Sequence, residues 1–151
     1  MADRRQSRHA QAAGFLQEAI NKGARIFTSN YILAELTALL TNPLRFPKKK
    51  QILFLADIRS STLVDMVFVN EIREAEAWKM WEARPDKNWT LADCTSFVIM
   101  QERGLTNALT TDHHFEQAGL VRLLKWVLTS YRRISSTTRP CTSVSRKSRP
   151  A

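Results

Sequence analysis

Short apolar segments of β-forming residues alternate with longer segments of helical periodicity along most of this chain. A strand, a crossover helix and a second strand form the repeating unit of parallel sheets, so this order predicts an α/β fold with a central parallel sheet and right-handed crossovers. The predicted helices cover residues 8–22, 30–42, 49–61, 71–84 and 91–103, the predicted strands cover 24–28, 63–70, 107–111 and 120–124, and 113–119 is predicted as a turn or short helix.

The positive charge of the chain is concentrated at its C-terminal end. The length of 151 residues and the hydrophobic fraction of 44% are typical of one globular domain. Seven of the 23 Lys and Arg residues lie from Lys125 onward, where Asp and Glu are absent, although the whole chain carries +9. We therefore predict a domain spanning residues 1–128 and a basic, Ser- and Arg-rich disordered tail over 129–151. Such a tail either attracts phosphates or is simply solvated.

The cellular compartment is indicated by segments that the sequence lacks. No apolar run approaches the roughly 18 residues of a membrane span, and residues 1–11 lack the apolar region of a secretory signal. Cys94 lies in a predicted core helix, far from Cys141, and is expected to be a small buried thiol. The Cys and His spacing does not indicate a zinc site. These features predict an intracellular, cytoplasmic protein without a membrane partner.

Carboxylates occur at several predicted strand ends and helix starts. Asp112 follows the third predicted strand, Asp93 lies in the first turn of the fifth predicted helix, and Glu35 lies early in the second. Asn70 and Glu71 are weaker candidates. Because the carboxyl ends of parallel strands form the binding edge of such sheets, we expect Glu35, Asp93 and Asp112 to lie close together. Taken singly, Asp93 is equally explained as a stabilising charge at a helix N-terminus, and Asp112 as a turn former.

A cluster of these acids has a chemical use. Converging carboxylates repel each other, so their cluster costs stability unless a cation neutralises it. Oxygen ligands favour Mg²⁺ or Mn²⁺. Such an ion can generate hydroxide and stabilise the charge that develops during attack on a phosphate. The pattern therefore indicates metal-dependent hydrolysis of a phosphodiester.

Two segments resemble the PIN-domain family. Residues 89–120 (WTLADCTSFVIMQERGLTNALTTDHHFEQAGL) resemble the C-terminal half of a PIN domain, with Asp-Cys, Ser-Phe, a helix ending in Gly, Thr-x-Asp and His-Phe in order. Residues 26–36 (IFTSNYILAEL) resemble the family segment in which a strand leads into a helix bearing a Glu. The resemblance covers about residues 8–124 and is closest to single-domain PIN proteins, including VapC-type toxins of toxin–antitoxin pairs.

The resemblance implies a three-layer α/β/α fold and a Mg²⁺- or Mn²⁺-dependent ribonuclease. Its partners would be RNA, a cognate antitoxin and a second copy of the chain in a homodimer. Carried over residue by residue, Glu35, Asp93 and Asp112 are the catalytic, metal-binding acids. Thr110 matches the hydroxyl residue that supports the last acid.

The chain departs from the family at its start. PIN domains begin with an apolar strand that lies at the centre of the sheet and ends in an Asp. This chain opens with MADRRQSRHAQAAGFL, which resembles the segment after that strand, so Asp3 does not match the first acid. We therefore expect two strands without their central partner, one metal ligand fewer and weak or absent ribonuclease activity. Either the true start lies upstream, or the chain is a truncated copy.

Two other classes of function remain open at this level. One is a non-catalytic PIN remnant that still binds an antitoxin or RNA. The other is an acid-cluster nuclease of the RNase H-like fold, which opens with an antiparallel hairpin that is not evident here. His113 and His114 either contact phosphate, act as a general acid, or have no such role. Three tryptophans could stack on bases, although packing in the core or in a dimer is the more usual role at helical spacing: Trp78, Trp81 and Trp89. The loop lysines Lys48, Lys49 and Lys50 either contact RNA or are simply solvated.

Overall fold

The computed structural model describes residues 4–125, in which helices and short strands alternate. The predicted tail, 129–151, and Cys141 lie outside the described residues. The elements are α1 (Arg4–Asn21), β1 (Ile26–Ser29), α2 (Asn30–Thr41), α3 (Lys48–Ser60), β2 (Val64–Val67), α4 (Glu71–Glu82), α5 (Leu91–Glu102), β3 (Asn107–Ala108), α6 (His114–Gln117) and β4 (Val121–Arg122).

The strands of the described part form two separate sheets of two parallel strands each. β1 pairs with β2, with Ile26 opposite Val64, and β3 pairs with β4, with Asn107 opposite Val121. The parallel pairing confirms the predicted α/β class, and it leaves no antiparallel hairpin of the RNase H-like type within residues 4–125. No described strand pairs with the second edge of β1 or of β3. The sheet is therefore present as two halves.

Short polar side chains set where α2, α4 and α5 begin. Ser29 caps α2 by accepting a hydrogen bond from the backbone N–H of Ile32 (3.2 Å). Asn70 caps α4 in the same way through the N–H of Arg73 (3.1 Å), so this weaker candidate has a local structural role. Thr90 caps α5, as its position in the sequence predicts. Each cap satisfies an N–H that has no partner inside its helix, and places that helix directly after a strand or turn.

The four described strands are shorter than the sequence patterns predict, and a polar side chain gives the reason for β2 and for β3. The prediction of a strand over 63–70 was too long, because Asn70 turns the chain into α4. The prediction over 107–111 was also too long, since the Thr110 hydroxyl accepts a hydrogen bond from the backbone N–H of Asp112 (3.0 Å). In both cases a side chain that bonds to nearby backbone competes with the strand ladder.

The main core lies between α4, α5 and α6. Phe97 packs edge-on against both Trp89 and Phe115, with ring centroids 5.1 Å apart in each pair. Cys94 is fully buried with a free thiol, as expected. Because Phe97 belongs to α5 and Phe115 to α6, this packing fixes the N-terminal half of α5 against the segment that follows β3. Val98 and Ala77 complete the buried cluster.

Several apolar side chains on the helices are exposed. On α2, Leu39 is 47% exposed and Ile32 is also accessible. Trp78 and Trp81 are each 42% exposed, and of the three candidate tryptophans only Trp89 is buried. A sheet of two strands is too narrow to cover the apolar faces of the helices around it. No helix within residues 4–125 is long and apolar enough to cross a membrane.

Candidate metal centre

Asp93 lies at the N-terminus of α5 in a capping box. Its Oδ2 accepts a hydrogen bond from the backbone N–H of Thr90 (2.8 Å), and the Thr90 hydroxyl accepts one from the N–H of Asp93 (3.1 Å). The positive end of the helix dipole also favours a carboxylate there. Asp93 therefore has the helix-stabilising role expected of an acid in a first turn. Its side chain is 15% exposed, so the carboxylate is held firmly at the surface of the core.

Asp112 is held by the turn between β3 and α6. The Thr110 hydroxyl accepts a hydrogen bond from its backbone N–H, and its own Oδ1 accepts one from the N–H of His114 (2.9 Å). Both bonds are local, so the sequence Thr-x-Asp-x-His is enough to form them. Thr110 thus contacts the backbone of the acid that it was predicted to support.

His114 connects the two aspartates. Its Nδ1 lies 3.2 Å from Oδ2 of Asp93 and 3.4 Å from Oδ2 of Asp112, and its side chain is only 17% exposed. The adjacent His113 is 62% exposed, and its Nδ1 lies 3.6 Å from Oδ1 of Asp112. Donor atoms of Asp112, His113 and His114 all lie within 4.8 Å of one another. The sequence indicated phosphate contact or proton transfer for His114 but not this bridging position, because the position depends on the packing of α6 against α5.

Glu35 lies within electrostatic reach of both aspartates. Burial raises the pKa of Glu35, and the negative charges of Asp93 and then Asp112 raise it further. Much of the side chain is accessible to solvent, yet the carboxyl group lies in a partly desolvated position beside the other acids. α2, α5 and the turn before α6 thus each contribute one carboxylate to a region of negative potential.

The raised pKa of Glu35 predicts a pH-dependent stability. The fold disfavours the ionised carboxylate of Glu35, so the folded chain holds the proton more tightly than the unfolded chain does. The stability that follows is fully present below the ordinary Glu pKa of about 4. It is lost as the pH rises through the raised pKa of the folded chain. Without metal, Glu35→Gln should therefore raise the melting temperature at pH 7 and have little effect near pH 4. Thermal unfolding at both values measures this, with Glu82→Gln at the exposed end of α4 as the control. A lower melting temperature for Glu35→Gln at pH 7 would contradict the repulsion between Glu35 and the two aspartates.

Comparison with known proteins identifies the family. The PIN domain model matches residues 2–120. This chain belongs to the PIN domain family. The sequence resemblance and the α/β fold that it implied are thereby confirmed.

Individual relatives of this PIN domain come from Mycobacterium tuberculosis. The 23S rRNA-specific endonuclease VapC20 of strains CDC 1551 / Oshkosh and ATCC 25618 / H37Rv is 32% identical over 98 residues, which cover 65% of this chain and 72% of the relative. The crystal structure of VapC20, described as a sarcin-ricin loop cleaving toxin, superposes with a TM-score of 0.59 at 32% identity. That match covers 64% of this chain and 72% of the VapC20 chain.

Proposed function

We propose that this PIN domain is a metal-dependent endoribonuclease of the VapC toxin type. The observation that carries the proposal is the joining of Asp93 and Asp112 through one histidine, with Glu35 within reach of their charges. These acids come from separate elements, and nothing in local sequence requires them to meet. Likeness to VapC20, a 23S rRNA-specific endonuclease, supports RNA as the substrate and ribosomal RNA as its class.

The acids fit a divalent cation by their charge and by their donor atoms. The effect of Asp93 and Asp112 on the pKa of Glu35 is a sign of repulsion that a cation would relieve. Carboxylate oxygens are the ligands that Mg²⁺ and Mn²⁺ favour. Asp93, Asp112 and Glu35 would hold the ion, which when bound supplies an activated water and stabilises negative charge on a phosphate.

The backbone prepares two of the acids for this role. One oxygen of Asp93 is held by the N–H of Thr90, and one oxygen of Asp112 is held by the N–H of His114. Because helix starts fix these N–H groups, the carboxylates lose little further freedom when they bind a ligand. Thr110 restrains the backbone of Asp112 in the same sense.

The remaining partners also belong to the proposal. Exposed apolar side chains on α2, α3 and the loop between them support a protein–protein surface, used by a cognate antitoxin, by a second copy in a homodimer, or by both. An RNA-cleaving toxin would act in the cytoplasm, where ribosomal RNA lies. The exposed apolar residues of this surface are Ile32, Leu39, Leu44, Phe46, Ile52, Leu53 and Phe54.

A second candidate function is favoured by the divided sheet. A PIN domain with unpaired edges at β1 and β3 fits a non-catalytic module that binds RNA or an antitoxin without cleaving RNA. The two candidates share a fold and differ in chemistry, so a cleavage assay separates them.

The direct test uses RNA that contains a sarcin-ricin loop, with an unstructured RNA of equal length as the control. The chain is incubated with each RNA in Mn²⁺, in Mg²⁺ and in EDTA, and binding is measured in parallel by gel shift. We expect slow cleavage that EDTA abolishes. Binding without cleavage in any metal would support the non-catalytic module, and neither binding nor cleavage would contradict both functions.

A further inference from the structure

The position of His114 between two acids has a second consequence, which rests on the proposed metal centre. We propose that Nδ1 of His114 is itself a metal ligand, so that the site selects a first-row transition ion such as Mn²⁺ over Mg²⁺. The acids alone form an oxygen site, whereas Nδ1 lies near both and adds a nitrogen donor.

The donor spacing fits coordination as well as it fits a hydrogen bond. Nδ1 of His114 lies 3.2 Å from Oδ2 of Asp93 and 3.4 Å from Oδ2 of Asp112. Ligands at about 2.1 Å from one ion and at right angles lie about 3 Å apart. This spacing lets Nδ1 share an ion with either carboxylate, and Asp112 and His114 also belong to the group of donors that lie within 4.8 Å of one another. Nδ1 binds through its lone pair, so the neutral ring then carries its hydrogen on Nε2.

The ring is held in place by the fold. The backbone N–H of His114 bonds to Asp112, and the next residue, Phe115, packs on Phe97 in the core. The ring is largely buried, and it contacts the His113 ring at a centroid distance of 4.5 Å. Because the imidazole is fixed beside both acids, little conformational entropy is lost when it binds an ion.

A nitrogen ligand changes which ion is preferred. Mg²⁺ favours oxygen ligands and retains its waters, whereas imidazole suits first-row transition ions. The carboxylates attract both kinds of ion through charge, and His114 adds affinity for only one kind. We therefore expect the chain to bind Mn²⁺ at least about tenfold more tightly than Mg²⁺, the scale on which single groups around a metal act.

The test replaces His114 with Asn. In His114→Asn the amide nitrogen can occupy about the position of Nδ1, so a hydrogen bond to the acids can form, while the amide is a poor metal ligand. Titration of the full chain with Mn²⁺ alone and with Mg²⁺ alone gives both affinities. We expect Mn²⁺ affinity to fall by at least about tenfold and Mg²⁺ affinity by less than about threefold.

A spectroscopic readout distinguishes a ligand from a residue that only positions the acids. Pulsed electron paramagnetic resonance of bound Mn²⁺ should show coupling to a ring nitrogen in the native chain and in His113→Asn, and none in His114→Asn. Far-UV circular dichroism and thermal unfolding check that each variant is folded. Loss of the coupling in His113→Asn but not in His114→Asn would show that the bound nitrogen belongs to His113, and it would overturn the inference.

The result also separates this inference from the proposed function. If His114→Asn retains Mn²⁺ affinity, or the native chain shows no nitrogen coupling, His114 is not a ligand. The oxygen-based metal centre still stands in that case if Asp112→Asn abolishes Mn²⁺ binding. If Asp112→Asn also binds Mn²⁺ normally, or the native chain binds no divalent cation, both the inference and the proposed metal centre are wrong.

Discussion

Addition of an apolar strand ending in Asp before residue 1 should raise both the melting temperature and the rate of RNA cleavage. The backbone geometry of β1 gives the reason. Ile26 donates its N–H to Leu63 (3.0 Å) beside β2, and alternate residues of a strand face opposite edges, so Phe27 and Ser29 direct their backbone groups away from β2. No described strand pairs with that edge.

The other half of the sheet has a matching edge. The N–H groups of Val121 and Leu123 bond to Thr106 and Ala108, so the backbone groups of Asn107 face away from β4. An inserted strand that pairs with both edges would satisfy groups that each cost about 1–3 kcal/mol when buried without a partner. Asn107 is exposed and Phe27 is half-buried, so only a part of this cost applies to these edges, and even a part matters against the roughly 5–15 kcal/mol that stabilises a small domain.

The carboxylate at the end of the added strand should act separately from the strand itself. We expect it to raise metal affinity and cleavage by about 10–100-fold, the usual effect of one group in or around a metal site. The matched control is the same added strand ending in Asn, which completes the sheet without the charge. It should raise the melting temperature to the same extent, but it should not raise the rate.

Three proteins are compared: the chain alone, the Asp-ended extension and the Asn-ended extension. The rate of RNA cleavage in Mn²⁺ measures the effect of the carboxylate, and thermal unfolding measures the effect of the added strand. The proposed assignment is wrong if the unextended chain cleaves RNA as fast as the Asp-ended form. An extension that leaves the melting temperature unchanged would mean that the open edges do not accept a strand.

Asp112→Asn should nearly abolish cleavage without loss of the fold. Asn can still accept the hydrogen bond from the N–H of His114, so the turn before α6 is retained and only the charge is removed. In the Asp-ended extended chain, we expect the rate to fall by about 10²–10⁴-fold, the usual contribution of a positioned catalytic group. Removal of one repelling charge should leave the metal-free melting temperature unchanged or slightly higher.

The matched control for this variant is Asp86→Asn. Asp86 is an exposed aspartate in the turn between α4 and α5, where its carboxylate pairs with Arg84 and Lys87. It carries the same charge as Asp112 but lies outside the candidate site. Initial rates on RNA and thermal unfolding compare the two variants. The role of Asp112 would be contradicted if both variants lost the same fraction of the cleavage rate. A rate for Asp112→Asn within about threefold of the parent rate would also contradict it.

Local signals in the sequence were enough to predict the order of elements and the acids worth testing. Asn70 and Thr90 stop one element and start the next through bonds that span three residues, and such bonds form without help from the rest of the fold. The parallel pairing followed from the alternation of strands and helices. The position of Asp112 in a Thr-x-Asp-x-His turn is local in the same sense.

Tertiary structure alone decided the exposure of Trp78 and Leu39, because helical spacing marks an apolar face but not whether a sheet is wide enough to cover it. It also decided that His114 meets Asp93, 21 residues earlier in the chain. That contact depends on Phe97 and Phe115 packing between α5 and α6. By itself, the sequence determined which donors were present and which turn or helix start held each of them. Long-range packing brings these donors together in one place, and no local sequence pattern encodes that packing.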